Sequence, residues 1–100
     1  MIRELQIGEE LYFTKAKGAV VFHIPGHCAG CKRAIVTLEQ SASENWDIVL
    51  IDAESDKFKS YVEKYGAKTA PTIITFNKGN ADRTFTGLKE FLANKSIFEE

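Results

Sequence analysis

Apolar residues arrive along this chain in two rhythms. Ala19 to Ile24 and Asp47-Ile48-Val49-Leu50-Ile51-Asp52 are nearly continuous runs, the pattern of strands buried on both faces. Pro71-Thr72-Ile73-Ile74-Thr75-Phe76 predicts another strand, opened by a proline at a tolerated place. Arg83-Thr84-Phe85-Thr86 predicts its return partner, after a hairpin turn at Asn77-Lys78-Gly79-Asn80. The second rhythm is helical. Cys31, Ile35, Leu38 and Ala42 mark one face of a helix expected from Cys28 to about Ser43. Phe58, Tyr61, Val62 and Tyr65 mark a second helix. Ser55 is placed to cap its start, and Gly66 suits the left-handed position after its end. Gly87 leads into a last helix with Leu88, Phe91 and Leu92 inward.

The two ends carry weaker signals. Residues 1–7 suggest a short first strand anchored by Ile2 and Leu5. Glu9 to Lys17 reads as a short helix, because acids lead, lysines trail and Gly18 stops it. Phe98-Glu99-Glu100 is expected to fray. The resulting order is β-α-β-α-β-α-β-β-α. Its early alternation demands parallel strands with right-handed crossovers, and the late hairpin adds an antiparallel edge. The expected architecture is α/β, a mixed sheet of four to five strands with helices on both faces.

Length and composition narrow the class. One hundred residues predict one domain, residues 1–100. At 44% hydrophobic and 27% charged, the chain can build a single modest core. Its net charge of -1 calls for neither nucleic acid nor an anionic membrane. No stretch approaches the ~18 apolar residues of a membrane span. The start, Met1-Ile2-Arg3-Glu4-Leu5, lacks the basic segment and apolar block of a secretory signal. A cytoplasmic location is expected, where thiols are held reduced and a cysteine pair cycles rather than staples.

The two cysteines stand in Gly26-His27-Cys28-Ala29-Gly30-Cys31-Lys32, between a predicted strand and a predicted helix. Partial positive charge and unpaired N–H groups at a helix start favour a thiolate, the attacking form in disulfide chemistry. A second sulfur one turn later can displace whatever the first has bound. With no third cysteine, the pair belongs to no larger disulfide framework and no four-cysteine zinc site. Structural zinc needs four ligands and the pair supplies two. An iron–sulfur cluster shared between two copies is the metal reading that stays open. Neither metal nor cofactor is expected.

In these residues the chain resembles the thioredoxin family. Three landmarks carry the likeness: Cys28-Ala29-Gly30-Cys31-Lys32 after a buried strand; Tyr65-Gly66-Ala67-Lys68-Thr69-Ala70-Pro71-Thr72, similar to the family's loop with a cis-proline; and the hairpin followed by Gly87-Leu88-Lys89-Glu90-Phe91-Leu92. The departures also inform. His27 stands where the family usually has an aromatic, and Ala29-Gly30 where it has Gly-Pro. Phe22 replaces the buried aspartate six positions before the first cysteine, and the partner lysine falls at Ile48. Thr69-Ala70-Pro71 is similar to the Thr-x-Pro of glutaredoxins, yet Asn80-Ala81-Asp82 does not supply their glutathione-binding Gly-Gly. The likeness is to a divergent thioredoxin or a small glutaredoxin-like protein, less reducing than ordinary thioredoxin.

The resemblance implies a thioredoxin-like fold and a thiol–disulfide oxidoreductase acting on protein disulfides. Cys28 is the expected nucleophile, aided by Lys32, Arg33 and the helix start, and Cys31 resolves the mixed disulfide. Thr69, Ala70, Pro71 and Gly87 are expected to hold substrate. The implied partners are a protein disulfide, such as that of ribonucleotide reductase, and a thioredoxin-reductase-like or other dithiol donor; a monomer is expected. Alternatives remain open: a binding module that no longer cycles, or a metal or cluster carrier. His27 either tunes Cys28 or simply fills an exposed loop. His27, His23 and water are the candidate acceptors of the Cys31 proton, although His23 in a buried strand suits a core residue with a satisfied hydrogen bond. Trp46 and the stripe of Phe58, Tyr61 and Tyr65 read as packing.

Overall fold

Residues 2–100 are described by the structure, a computed structural model. Strand β1 is Ile2–Glu4, β2 is Lys17–His23, and helix α1 is Ala29–Ser41. Strand β3, Trp46–Asp52, is followed by a 3-10 turn at Asp56–Phe58 and by α2, Lys59–Tyr65. Strands β4, Thr72–Asn77, and β5, Asn80–Thr86, form the hairpin, and α3, Gly87–Asn94, runs into a 3-10 turn at Lys95–Glu99. The strands make one sheet in the order β1-β3-β2-β4-β5. β3 pairs in parallel with both β1 and β2, and β4 and β5 pair antiparallel. This is the thioredoxin-like α/β architecture that the sequence predicts, with five strands.

Alternate residues of a strand face opposite sides, and two cores result. Ala19, Val21, Ile48, Leu50, Ile73 and Phe85 face α1 and α3, where Ala34, Leu38 and Phe91 meet them. Val20, Phe22, Val49, Ile51, Ile74 and Phe76 face the other way, onto Phe58, Ala67 and the half-buried Tyr61, Val62 and Tyr65. The aromatic stripe of α2 is therefore core packing. The same parity corrects one expectation. Ile48 lies on the opposite face from Phe22, so these two do not pair beneath the cysteines. The β3 residues nearest Phe22 on its side are Val49 and Ile51, which are equally apolar, while Asp47 takes that face at the strand's far end.

Residues 9–17 form no helix. Leu11 and Phe13 pack onto the second core while Tyr12 between them is 53% exposed, an alternation of extended chain. Side chains satisfy the backbone where a helix would have done so. Tyr61 Oη accepts the Leu11 N–H at 2.9 Å, and Asp47 Oδ2 accepts the Thr14 N–H at 2.7 Å. Gly18 is not a helix stop. It belongs to β2, and a Cβ there would overlap the Phe13 ring. The glycine makes room for the aromatic.

The remaining boundaries shift modestly. β1 ends at Glu4, although Leu5 is buried and donates its N–H to the Leu50 carbonyl at 2.9 Å. Ser55 caps the 3-10 turn, accepting from the Lys57 N–H at 3.2 Å, and Gly66 takes the left-handed conformation at φ 64°. The carboxyl end is not frayed. Phe98 is fully buried against Trp46, Phe85 and Phe91, with ring centroids 4.7, 6.4 and 5.8 Å away. Its carbonyl accepts the Ser43 N–H at 2.8 Å.

Candidate active site

The buried strand β2 ends at His23, and the chain turns at once through Pro25 and Gly26, whose φ is 83°. A positive φ of this size suits glycine, which lacks the Cβ that clashes. The turn delivers Cys28 to the N-cap of α1 in an extended conformation. Its Sγ accepts the Cys31 N–H at 3.1 Å, taking the place of the usual oxygen cap. Cys28 and Cys31 are joined as a disulfide, with Cα atoms 5.2 Å apart. They differ sharply in access: Cys28 is half-buried, and Cys31 is 1% exposed.

Three further segments meet the disulfide. The Ala70–Pro71 peptide is cis, and Pro71 is buried. The Ala70 carbonyl oxygen lies 3.6 Å from Cys28 Sγ. Thr72 Oγ1 donates to the Thr69 carbonyl at 2.5 Å, bracing the loop. Gly87, at φ 86°, donates its N–H to the Pro71 carbonyl at 2.8 Å. A Cβ on Gly30 would stand 3.5 Å from Pro71 Cδ and 3.6 Å from Leu88 Cβ. The first turns of α1 and α3 therefore converge on Pro71. Ala70 thus meets Cys28 directly, Pro71 packs near Gly30 between the cysteines, and Thr69 and Gly87 hold the same loop.

The charged neighbours are arranged less tightly. His27 and Lys32 are exposed on either side of the pair in sequence. The Lys32 ammonium makes no ion pair among the described residues. His23 is buried at 6% exposure, and its Nε2 lies 3.2 Å from Glu4 Oε1, outside hydrogen-bonding alignment. It is a core histidine set against the Glu4 carboxylate without the satisfied hydrogen bond expected. No local signal in the sequence joins Glu4 to a residue so far along the chain.

Asp47, buried at the other end of β3, was not singled out by sequence at all. Burial pushes its carboxyl up, but the Thr14 backbone N–H, the Arg3 guanidinium and the Thr14 hydroxyl outweigh it and hold the pKa below the usual carboxylate value. Arg3 Nη2 stands 3.2 Å and Thr14 Oγ1 3.0 Å from Asp47 Oδ2. This cluster braces the residue 9–16 segment, far from the sulfurs along the strand. A cavity of about 600 Å³ lies at that same far end, between Leu11, Phe13, Tyr61, Tyr65 and Lys78. No cysteine lines it.

Among the described residues no three His, Cys, Asp or Glu side chains gather as a metal-binding group. No helix there is long and apolar enough to cross a membrane. What the site offers is a half-buried sulfur, a sheltered sulfur one turn on, and a cis-proline loop whose Ala70 carbonyl lies against the first.

The thioredoxin family model matches residues 9–96. The fold is also that of solved thioredoxins. The thioredoxin Mala s 13 of Malassezia sympodialis superposes with a TM-score of 0.74 at 15% identity, over 99% of this chain and 94% of that one. Plasmodium falciparum thioredoxin gives 0.70 at 22% identity, over 86% and 82%. The germline-specific thioredoxin Deadhead of Drosophila melanogaster gives 0.69 at 22% identity, over 84% and 80%. No curated protein matches the sequence.

Proposed function

The chain belongs to the thioredoxin family, and from that premise we propose that it reduces protein disulfides through a Cys28–Cys31 dithiol/disulfide cycle. Family membership and the Cys28–Cys31 disulfide support thiol–disulfide oxidoreductase chemistry in general. The observation that carries the finer reading is the asymmetry of access, with Cys28 open at a helix start and Cys31 sealed one turn behind it.

In the reducing direction the Cys28 thiolate attacks one sulfur of the substrate. A Cys28–substrate bond forms, the substrate S–S bond breaks, and the departing thiolate takes up a proton. Cys31 then gives up its proton and attacks Cys28 Sγ. The Cys28–Cys31 bond forms as the mixed disulfide breaks, and the second substrate sulfur leaves as a thiol. Two electrons and two protons pass from the dithiol to the substrate. A thioredoxin-reductase-like enzyme or another dithiol donor restores the pair.

The surroundings suit each step. The positive end of α1 and the exposed Lys32 favour negative charge on Cys28. The Ala70 carbonyl lies against Cys28 Sγ, while its N–H makes no backbone hydrogen bond among the described residues and is available to an extended substrate segment, the mode of strand addition. Thr69 braces that segment's seat and Gly87 adds no side chain to crowd it. Pro71 has no N–H and presents a compact ring beside the sulfurs. We place the protein in the cytoplasm as a monomer, serving an enzyme such as ribonucleotide reductase.

The test is reduction of insulin by dithiothreitol with the wild type and Cys28→Ser. Wild type is expected to accelerate precipitation of the B chain, and Cys28→Ser to match the uncatalysed rate. Equal rates for both would leave a binding module as the reading.

A further inference from the structure

The end of the sheet that carries the disulfide, where β1, β3 and β2 finish, is electrically lopsided. Read in strand order, it begins with Glu4 at the end of β1. Asp52 and Glu54 follow at the end of β3, with Asp56 just beyond. His23 closes β2 in the middle, tied to that flank by the Ala53 N–H, which donates to its carbonyl at 2.8 Å. Beyond the cysteines the sign changes. Lys68 lies in the loop before β4, Lys89 in the first turn of α3, and Lys32 and Arg33 near the start of α1. All four are exposed, and among the described residues none has an ion-pair partner. Glu90 follows Lys89 and is the acid on this flank's own helix.

The backbone reinforces the basic half. The first turns of α1 and α3 both approach Pro71, so two positive helix ends face one spot. Lys68 is two residues before Ala70, and Lys89 is two residues after the Gly87 that bonds Pro71. The Ala70 loop and the Gly87 turn that bonds it therefore each carry an exposed lysine with no ion-pair partner among the described residues.

Building on the oxidoreductase reading, we propose that this surface selects protein disulfides flanked by acidic residues, with the acidic flank seated between Lys68 and Lys89. Exposed charges add little to equilibrium affinity. They act on encounter, raising association rates in a salt-dependent way. The signature is a second-order rate that depends on substrate charge and fades with salt.

The experiment uses two peptides, each with one internal disulfide, identical except for glutamates or lysines flanking the cysteines. Both are reduced by the full-length dithiol protein, wild type and Lys68→Glu/Lys89→Glu, at low and high sodium chloride. Wild type is expected to reduce the glutamate peptide about tenfold faster at low salt. High salt is expected to collapse that ratio toward one, and the double variant to abolish or invert it. The ratio cancels any change in intrinsic thiol reactivity. Equal wild-type rates on both peptides, or faster reduction of the lysine peptide, would overturn the substrate assignment while leaving the oxidoreductase reading in place. An unchanged ratio in the double variant would also overturn it. Reduction of neither peptide would overturn the oxidoreductase reading, and this inference with it.

Discussion

Cys31 donates its backbone N–H to the sulfur of Cys28 across 3.1 Å, so each cysteine serves the other before any electron moves. The bond places one sulfur at the mouth of the helix and the other beneath it. In the dithiol form, brief treatment with iodoacetamide is expected to modify Cys28 and spare Cys31. Mass spectrometry of the digested protein reads the outcome. In the same way Cys31→Ser is expected to accumulate a mixed disulfide with substrate and Cys28→Ser to accumulate none. The reverse pattern would exchange their roles.

Gly18→Ala puts a methyl group into the ring of Phe13. The added atom cannot be absorbed without moving the residue 9–16 segment off the sheet. A loss of about 1–3 kcal/mol is expected, the usual cost of overpacking, measured as a lower denaturation midpoint at unchanged slope. Phe13→Ala in the same chain removes the obstacle. The double variant is therefore expected to be markedly more stable than the sum of the two single losses.

Asp47 provides a pH-dependent term. Its carboxyl is held below the usual carboxylate range by the hydrogen bonds and charge that outweigh its burial. A group with a depressed folded pKa stabilises fully above its unfolded pKa, and that contribution is lost as the pH falls through the folded value. Asp47→Asn is expected to cost roughly 1.5–3 kcal/mol near neutrality, the range for hydrogen bonds to charged groups. The gap between wild type and variant is expected to narrow from about pH 4 downward, as followed by denaturant titration at each pH.

Phe98→Ala removes a ring buried among three other aromatics. A loss of about 3–5 kcal/mol is expected. A change of a few tenths, seen in chemical denaturation, would mean that the carboxyl end is loosely held after all.

The residues that could be read in advance are those whose neighbours lie close in sequence. The run Ala19–Ile24 announces a central strand because burial on both faces demands apolar residues at every position. The cysteine pair, the Pro71 loop and Gly87 are similarly local signals, and the fold brings them together. What escaped was set by distant partners. Glu9 to Lys17 has the charge order of a helix, but Leu11 and Phe13 find a sheet face and Tyr61 takes a backbone N–H. Tertiary contacts override propensity there. Gly18 looked like punctuation because nothing local reveals the ring above it. Phe98 sits two residues from the last position, where nothing local in sequence reports that Trp46 and Phe91 wait for it. Parity across the sheet, visible only once β2 and β3 are in register, put Ile48 behind the sheet from Phe22.

In the proposed cycle the atom that seals the start of α1 is also the atom that reacts. In most helices the cap is a bystander, and chemistry nearby risks unravelling the first turn. Here sulfur holds that post as a disulfide and holds it more strongly as an anion, since an N–H bonds a negative acceptor better than a neutral one. On that proposal one backbone would serve both oxidation levels, and shuttling electrons would ask for no refolding of the machine that carries them.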